Sequence, residues 1–433
     1  MNAHEPVIKA PSIKGWCPSL LRPMRSGDGL IARIKPSAAR LSAMQAHLLA
    51  QAAARYGNGQ LELTRRGNLQ ARGFTTANHA CFAEEVLAMG LASADPAVEA
   101  LRNVLAAPLS ATEDPSCQFD AHTIACNVEQ AIAADSKLLA LPSKIGVAVD
   151  GGGVLGLTRY AKQRGIVTTA DVSIMPGPGG KIALRLAPEA TGDVLEVLLP
   201  VTMAAEATVA LLRSLLDFIS PTQRRMADVV AAIGAAPIFT AAGLAWRVAD
   251  LDTIQADPLG PGSLPITDKQ AAIVLAPAFG RLDASQLAAL ADLANDAGDT
   301  TLRLTPWRYF VLPGVAMSSS AAVLKHAEAL GFIICRSDPR LQIAVCTGSP
   351  GCSHAQADVL RDATIFAAAL PADIFLHVSG CGKGCAHSDA ADLTLTAQED
   401  GYHLIRNGRA SDLPTVKQFT GLSTQAALAA LKL

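Results

Sequence analysis

Apolar and polar positions alternate along the chain in short extended runs, and helical spacings fill the intervals between them. Leu30-Ile-Ala-Arg-Ile34 reads as a strand, and Ser42 to Arg55 as a helix with Leu41, Met44, Leu48 and Leu49 as its apolar positions and Gly57 as its stop. Leu61-Glu-Leu-Thr64 alternates as a strand and runs into the basic stretch Arg65-Arg66-Gly-Asn-Leu-Gln-Ala-Arg72, after which Ala77 to Met89 predicts a second helix. Farther on, Lys144 to Val149, Asp171 to Met175, Leu184 to Leu186 and Val194 to Leu199 are extended. Glu206 to Phe218 is a strong helix, and a helix-rich stretch follows to Val248. Residues 256–265, with three prolines and two glycines, predict a linker. Leu393 to Leu395 and Gly401 to Ile405, with Arg406-Asn-Gly408, predict a hairpin ahead of a terminal helix. The first ten residues carry no periodicity and are expected to be loose.

The strand–helix–strand pattern recurs without a gap at an offset of 241: Pro36, Arg40, Gln45, Gly57 and Thr64 return as Pro277, Arg281, Gln286, Gly298 and Thr305. One such unit cannot bury both faces of its sheet, so two copies packed together are expected. Arg65 and Arg66 fall opposite Pro306 and Trp307, which suggests that one copy specialised in charge and the other in shape. A fainter echo sets Val149-Asp-Gly-Gly-Gly153 against Val378-Ser-Gly-Cys381-Gly, and Ala170 to Ile174 against Ala391 to Leu395. The reading is an internally duplicated α+β chain of four modules, 1–100, 101–260, 261–330 and 331–433, with Gly152 standing where the last module has Cys381.

With 433 residues, half of them apolar and 17% charged, the chain has the composition of a well-buried globular enzyme. A formal net charge of −2 gives no reason to expect nucleic acid as a partner. The apolar segment from Val201 to Ile219 carries Glu206, Arg213 and Asp217, so no run spans a bilayer. An odd count of nine cysteines and no apolar signal core argue against a secreted disulfide scaffold, and a cytoplasmic location is expected. Arginines from Arg22 to Arg72 bias the N-terminal region positive, fit to face an acidic small molecule.

Candidate chemistry concentrates between Val345 and His387. Cys346-Thr-Gly-Ser-Pro-Gly-Cys352 and Cys381-Gly-Lys-Gly-Cys385 set paired thiols beside glycines, separated by a helix-like stretch Ser353 to Leu370 and the extended Ile374 to Val378. Four convergent thiolates read as an iron–sulfur centre of four or two irons; the spacing suits zinc less well, and four merely buried thiols remain the plain alternative. Cys352, just ahead of the expected helix, would gain from its positive end. His387 and His354, near these cysteines, are candidates for a catalytic or metal role, whereas His377, in a strand, reads as packing. Trp16 and Trp307 read as wall or core residues. Neither Gly151-Gly-Gly153 nor Gly177-Pro-Gly-Gly180 forms a dinucleotide fingerprint, so electrons are expected from outside.

Taken together, Thr64-Arg65-Arg66-Gly-Asn-Leu-Gln70-Ala-Arg72, Arg102-Asn-Val104, Leu141-Pro-Ser-Lys144-Ile-Gly-Val147 and the cysteine pairs resemble the sulfite and nitrite reductase superfamily over nearly the full length. Cys17-Pro-Ser-Leu, Pro23-Met-Arg-Ser-Gly-Asp-Gly29-Leu, Leu304-Thr-Pro-Trp-Arg308 and Gly384-Cys-Ala-His387 resemble more narrowly its precorrin-3B synthases. The resemblance implies a pseudo-twofold oxidoreductase, a monooxygenase, with a [4Fe-4S] cluster on Cys346, Cys352, Cys381 and Cys385. It implies precorrin-3A and molecular oxygen as substrates, hydroxylation of a meso carbon with lactone closure, an external electron donor fed indirectly by NADH, and a mononuclear non-haem iron. Arg65, Arg102 and Lys144 match the superfamily's basic set for macrocycle carboxylates, and Arg66 and Arg72 extend it. Where that set commonly has a further lysine, this chain has Gly146. The alternative is a sirohaem-dependent sulfite or nitrite reductase; an electron-transfer or assembly subunit carrying the cluster is a third reading.

Overall fold

The computed structural model describes residues 18–157, 170–187, 194–220, 223–250, 259–414 and 420–431. The first ten residues, Trp16, Cys17 and the start of the expected 256–265 linker lie outside them. The chain divides into two compact units: a larger one running to Ile334 without Arg25–Leu30, and a smaller one containing Arg25–Leu30 and the chain from Cys335 onward.

In the larger unit the 241-residue repeat is a repeat of structure. A 3-10 turn Ser37–Ala39, strand Arg40–Ser42, helix Ala43–Tyr56 and strand Gln60–Leu63 return as Ala278–Gly280, Arg281–Asp283, Ala284–Ala297 and Thr301–Leu304. Both helices start on a reciprocal cap. Ser42 Oγ accepts the Gln45 N–H while the Gln45 side chain accepts the Ser42 N–H, and Asp283 with Gln286 does the same. The two helices pack on each other. Helix Ala43–Tyr56 buries Ala46, Leu49, Ala50 and Ala53, while Met44 and Leu48 stand 68% and 38% exposed, against the expected apolar face. Small side chains let the helices approach closely, and the bulkier pair lies off that stripe.

Each repeat also lends a strand to the other. Arg281–Asp283 runs antiparallel beside Gln60–Leu63, which pairs on its far edge with Leu69–Phe74. Arg40–Ser42 in turn runs antiparallel beside Thr301–Leu304, in the sheet that continues through Phe310–Ala316 and Gln270–Leu275 to Gly262–Pro265. The last of these turns the end of the expected linker into an edge strand, where Pro265 is tolerated. The second helix spans Thr76–Ala88.

The remaining sheet of the larger unit sets Val104–Ala106, Val147–Val149 and Val172–Pro176 parallel, then adds Ile182–Leu186, Leu195–Leu199 and Arg247–Val248 antiparallel. Thus the helical stretch after Phe218 ends before Val248. In the smaller unit, Ile343–Val345, Leu376–Ser379 and Ala391–Gln398 are parallel and Gly401–Gly408 is antiparallel. The shared order of three parallel strands and an antiparallel return explains the fainter echo. The last hairpin turns at residues 399–400, which leaves Arg406–Gly408 inside the returning strand. Among the described residues, no helix is long and apolar enough to cross a membrane.

Candidate functional site

The cysteine-bearing loops leave the carboxyl ends of two neighbouring parallel strands, Ile343–Val345 and Leu376–Ser379. Backbone donors tie the loops together: the Gly380 N–H reaches Cys346 Sγ at 3.2 Å, and the Gln356 N–H reaches Gly380 O at 2.8 Å. A Cβ on Gly380 would stand 2.7 Å from Ala355 Cβ, so the approach requires glycine. Burial pushes the Cys346 and Cys385 thiols up; the Gly380 and Gly348 N–H groups oppose the shift at Cys346 and Lys383 opposes it at Cys385, while Cys381 and Cys352 add to both and Cys346 adds to Cys385. Yet among the described residues no three His, Cys, Asp or Glu side chains close round a single ion. Four thiols on two loops are a soft donor set of the kind that holds an iron–sulfur cluster.

The expected helix from Ser353 begins only at Val359, with Asp358 as its cap, and ends at Ala367. Cys352 sits in the preceding turn, its N–H on Gly348 O at 2.7 Å, away from any helix start. Donors of the 349–357 segment are spent on turns and on the facing cysteine loop rather than on helical bonds.

His387 is buried beside the second loop, its ring 4.9 Å from Phe375 and 5.8 Å from that of His377, with Nε2 3.4 Å from Ala390 O. His377 is fully buried in its strand, and His354 is exposed. In the larger unit, Cys117 forms an isolated antiparallel backbone bridge with Gly152, and burial together with Asp114 and Asp150 pushes its thiol up to about 12.

Three of the basic residues, Arg65, Arg66 and Arg102, meet in the larger unit round a small pocket with about 40 Å³ of water-sized free space, walled also by Asn68 and Gly146. Arg65 is exposed there, and Arg66 donates to Lys144 O at 3.2 Å. Arg102 is already committed: Nη1 donates to Leu91 O and Glu99 Oε2, and Nη2 to Ser37 Oγ. Asn103 donates to Ala100 O, Ser143 O and Ile145 O, which staples the Lys144 loop to the segment carrying Arg102. The Lys144 side chain does not line the cavity. Nor does Arg72, which is buried in strand Leu69–Phe74. It lies near Glu62, whose carboxyl is held below its ordinary range, against the cost of burial, by Arg281, Arg308, Arg72 and Arg33.

Behind the cavity wall lies a group that the sequence did not disclose. Lys35 is 5% exposed and donates from Nζ to Glu99 O at 2.9 Å and Ala100 O at 3.1 Å. Burial lowers it to about 8; Glu99 opposes that shift, while Arg33, Arg66 and Arg102 reinforce it. Glu129 nearby is pushed up, mainly by burial. Lys35 directly follows an alternating strand, and nothing in the local pattern marks it as buried, because the covering helix Pro96–Leu101 comes from farther along the chain.

The nitrite/sulfite reductase ferredoxin-like half domain matches twice, at residues 22–89 and 266–330. A precorrin-3B synthase of Sinorhizobium sp is 30% identical over 93% of this chain and 84% of its own length. A ferredoxin–nitrite reductase of Synechococcus elongatus is 24% identical over 88% of this chain and 78% of its own. Among solved structures, the NirA protein of Mycobacterium tuberculosis superposes with a TM-score of 0.68 at 20% identity, covering 85% of this chain and 71% of that one, which shows the shared fold. With its two half domains and its match along most of the Sinorhizobium protein, the chain belongs to the precorrin-3B synthase family of the nitrite and sulfite reductase superfamily.

Proposed function

We propose that this protein is an oxygen-dependent precorrin-3B synthase of the cytoplasm, built from four modules bounded near residues 100, 260 and 330. The observation that carries the reading is the likeness to the Sinorhizobium synthase along nearly the whole chain. Cys346, Cys352, Cys381 and Cys385 would hold a [4Fe-4S] cluster, which when bound supplies electrons one at a time from an external donor fed indirectly by NADH. Arg65 and Arg66 at the cavity mouth would take carboxylates of precorrin-3A by paired guanidinium hydrogen bonds. Arg102, clamped by Glu99 and Ser37, supplies fixed positive charge rather than a mobile ligand. One oxygen atom of O2 enters the meso position and the other leaves as water, with two electrons and two protons consumed. A ring acetate of the substrate closes the lactone, so no protein nucleophile is required. His387 and His354 are the proposed proton-handling groups, and a mononuclear iron remains part of the reading.

A sirohaem-dependent nitrite or sulfite reductase is the second reading, favoured by the likeness to the Synechococcus enzyme. The test is an anaerobic ultraviolet–visible spectrum of protein purified without added substrate, with iron and acid-labile sulfide measured on the same sample. A broad sulfur-to-iron band with about four sulfides per chain, followed by oxygen-dependent turnover of precorrin-3A, is expected. Intense haem-type Soret bands would defeat the synthase reading and support the reductase.

A further inference from the structure

Arg25–Leu30 forms part of the smaller unit although the chain on either side of it belongs to the larger one. It is a hairpin tip between strands Met24–Ser26 and Gly29–Ile34, turning at Gly27 and Asp28. The tip lies on the loop that carries Cys352. The Gly27 N–H donates to Gly351 O at 3.1 Å, and Ser26 Oγ donates to the same carbonyl across 325 residues of sequence. A Cβ on Gly27 would stand 2.4 Å from Pro350 O, 3.0 Å from Ser353 N and 3.2 Å from the carbonyl carbon of Cys352. Gly27 is exposed and needs no left-handed backbone, so this contact is what demands glycine there.

From its other side the same loop is held by the Cys352 N–H on Gly348 O, with Gly348 at φ +68 and no room for a Cβ against Val359. The peptide immediately before Cys352 is thus gripped between a local turn and a distant hairpin. An exposed surface loop held in this way loses the freedom to swing its thiol outward.

We propose that Ser26 and Gly27 are positioning residues for Cys352, clamping one corner of the metal centre against loss of iron. The inference rests on the reading of the four cysteines as a [4Fe-4S] site. Iron loss at a loosened corner is a one-electron oxidation: dioxygen takes the electron to become superoxide, one iron leaves as Fe2+, and a three-iron cluster of charge +1 remains from one of charge +2.

The test uses the full-length protein and its Ser26→Ala and Gly27→Ala variants, isolated anaerobically with iron and sulfide quantified. After exposure to air, the bleaching of the visible band and the growth of the three-iron EPR signal are followed, with circular dichroism as a control on folding. Loss of one hydrogen bond predicts about fivefold faster bleaching in Ser26→Ala. Gly27→Ala, which displaces the loop, is expected to bleach faster still and to shift the reduced-cluster EPR spectrum. Bleaching and EPR line shapes in Ser26→Ala that match the parent overturn the clamp, and that variant decides the matter even where Gly27→Ala does not fold. Parent protein free of iron and sulfide overturns the cluster reading itself, a result that no comparison of variants could mimic.

Discussion

Replacing Lys35 with methionine keeps most of the side-chain volume and removes the buried charge. In the folded protein Lys35 titrates at about 8 against 10.5 when unperturbed, the result first of burial and then of Arg33, Arg66 and Arg102, with Glu99 opposing. Below pH 8 both folded and unfolded chains carry the proton, and the protonated form is disfavoured in the fold by roughly 3 kcal/mol. Between pH 8 and 10.5 the unfolded chain binds more protons than the folded one, so this contribution makes stability rise with pH by up to about 1.4 kcal/mol per unit. Lys35→Met removes that rise. It also leaves Glu99 O and Ala100 O without the Nζ donor, at about 1–3 kcal/mol each, so the net change at neutral pH is small or destabilising. The diagnostic quantity is the parent-minus-variant difference in unfolding free energy, from urea titrations between pH 7 and 10. It is expected to be flat below pH 7.5 and to climb above pH 8; parallel profiles across that range would refute the assignment of a depressed lysine.

Ser42→Ala and Asp283→Ala remove equivalent caps and should each cost about 1 kcal/mol, read as similar falls in Tm. Tyr402→Phe deletes the buried hydrogen bond to Asp362 Oδ2 at 2.7 Å and should cost about 1–2 kcal/mol in chemical denaturation. Arg65→Ala is expected to weaken binding of a carboxylated tetrapyrrole, followed by fluorescence quenching. Arg102→Ala should weaken that binding and lower Tm, because its guanidinium holds Leu91, Glu99 and Ser37; a Tm like the parent's would count against that structural role. Cys381→Ser should abolish stoichiometric iron and labile sulfide while leaving the far-ultraviolet dichroism of the fold.

The duplication was legible in the sequence because its matches kept register through Pro, Arg, Gln and Gly, residues whose positions are fixed by turns and caps. Which strand pairs with which was not legible, since Arg40–Ser42 and Arg281–Asp283 find partners in the opposite repeat and no local pattern encodes a neighbour that distant. The cysteine pairs were conspicuous by their glycines, but the helix expected at Ser353 yielded to turns that bond to the facing loop. The resemblance to the superfamily's basic set put Arg102 beside Arg65, Arg66 and Arg72. Strand geometry draws Arg72 inside, and Glu99, an acidic residue within a short apolar helix, takes up Arg102. Met44 and Leu48 misled for the opposite reason: a helix packed through alanines leaves its larger apolar side chains outside.

The exchange of strands between the repeats governs when the protein can fold as it is made. Arg281 reaches Glu62 across 219 residues, so the first sheet lacks its edge strand until the second repeat has left the ribosome. At typical synthesis rates that interval is on the order of 10 to 40 s, during which strand Gln60–Leu63 keeps an open edge. A nascent chain halted before Arg281 should therefore depend on chaperones, whereas one released past Ala316 can close both sheets together.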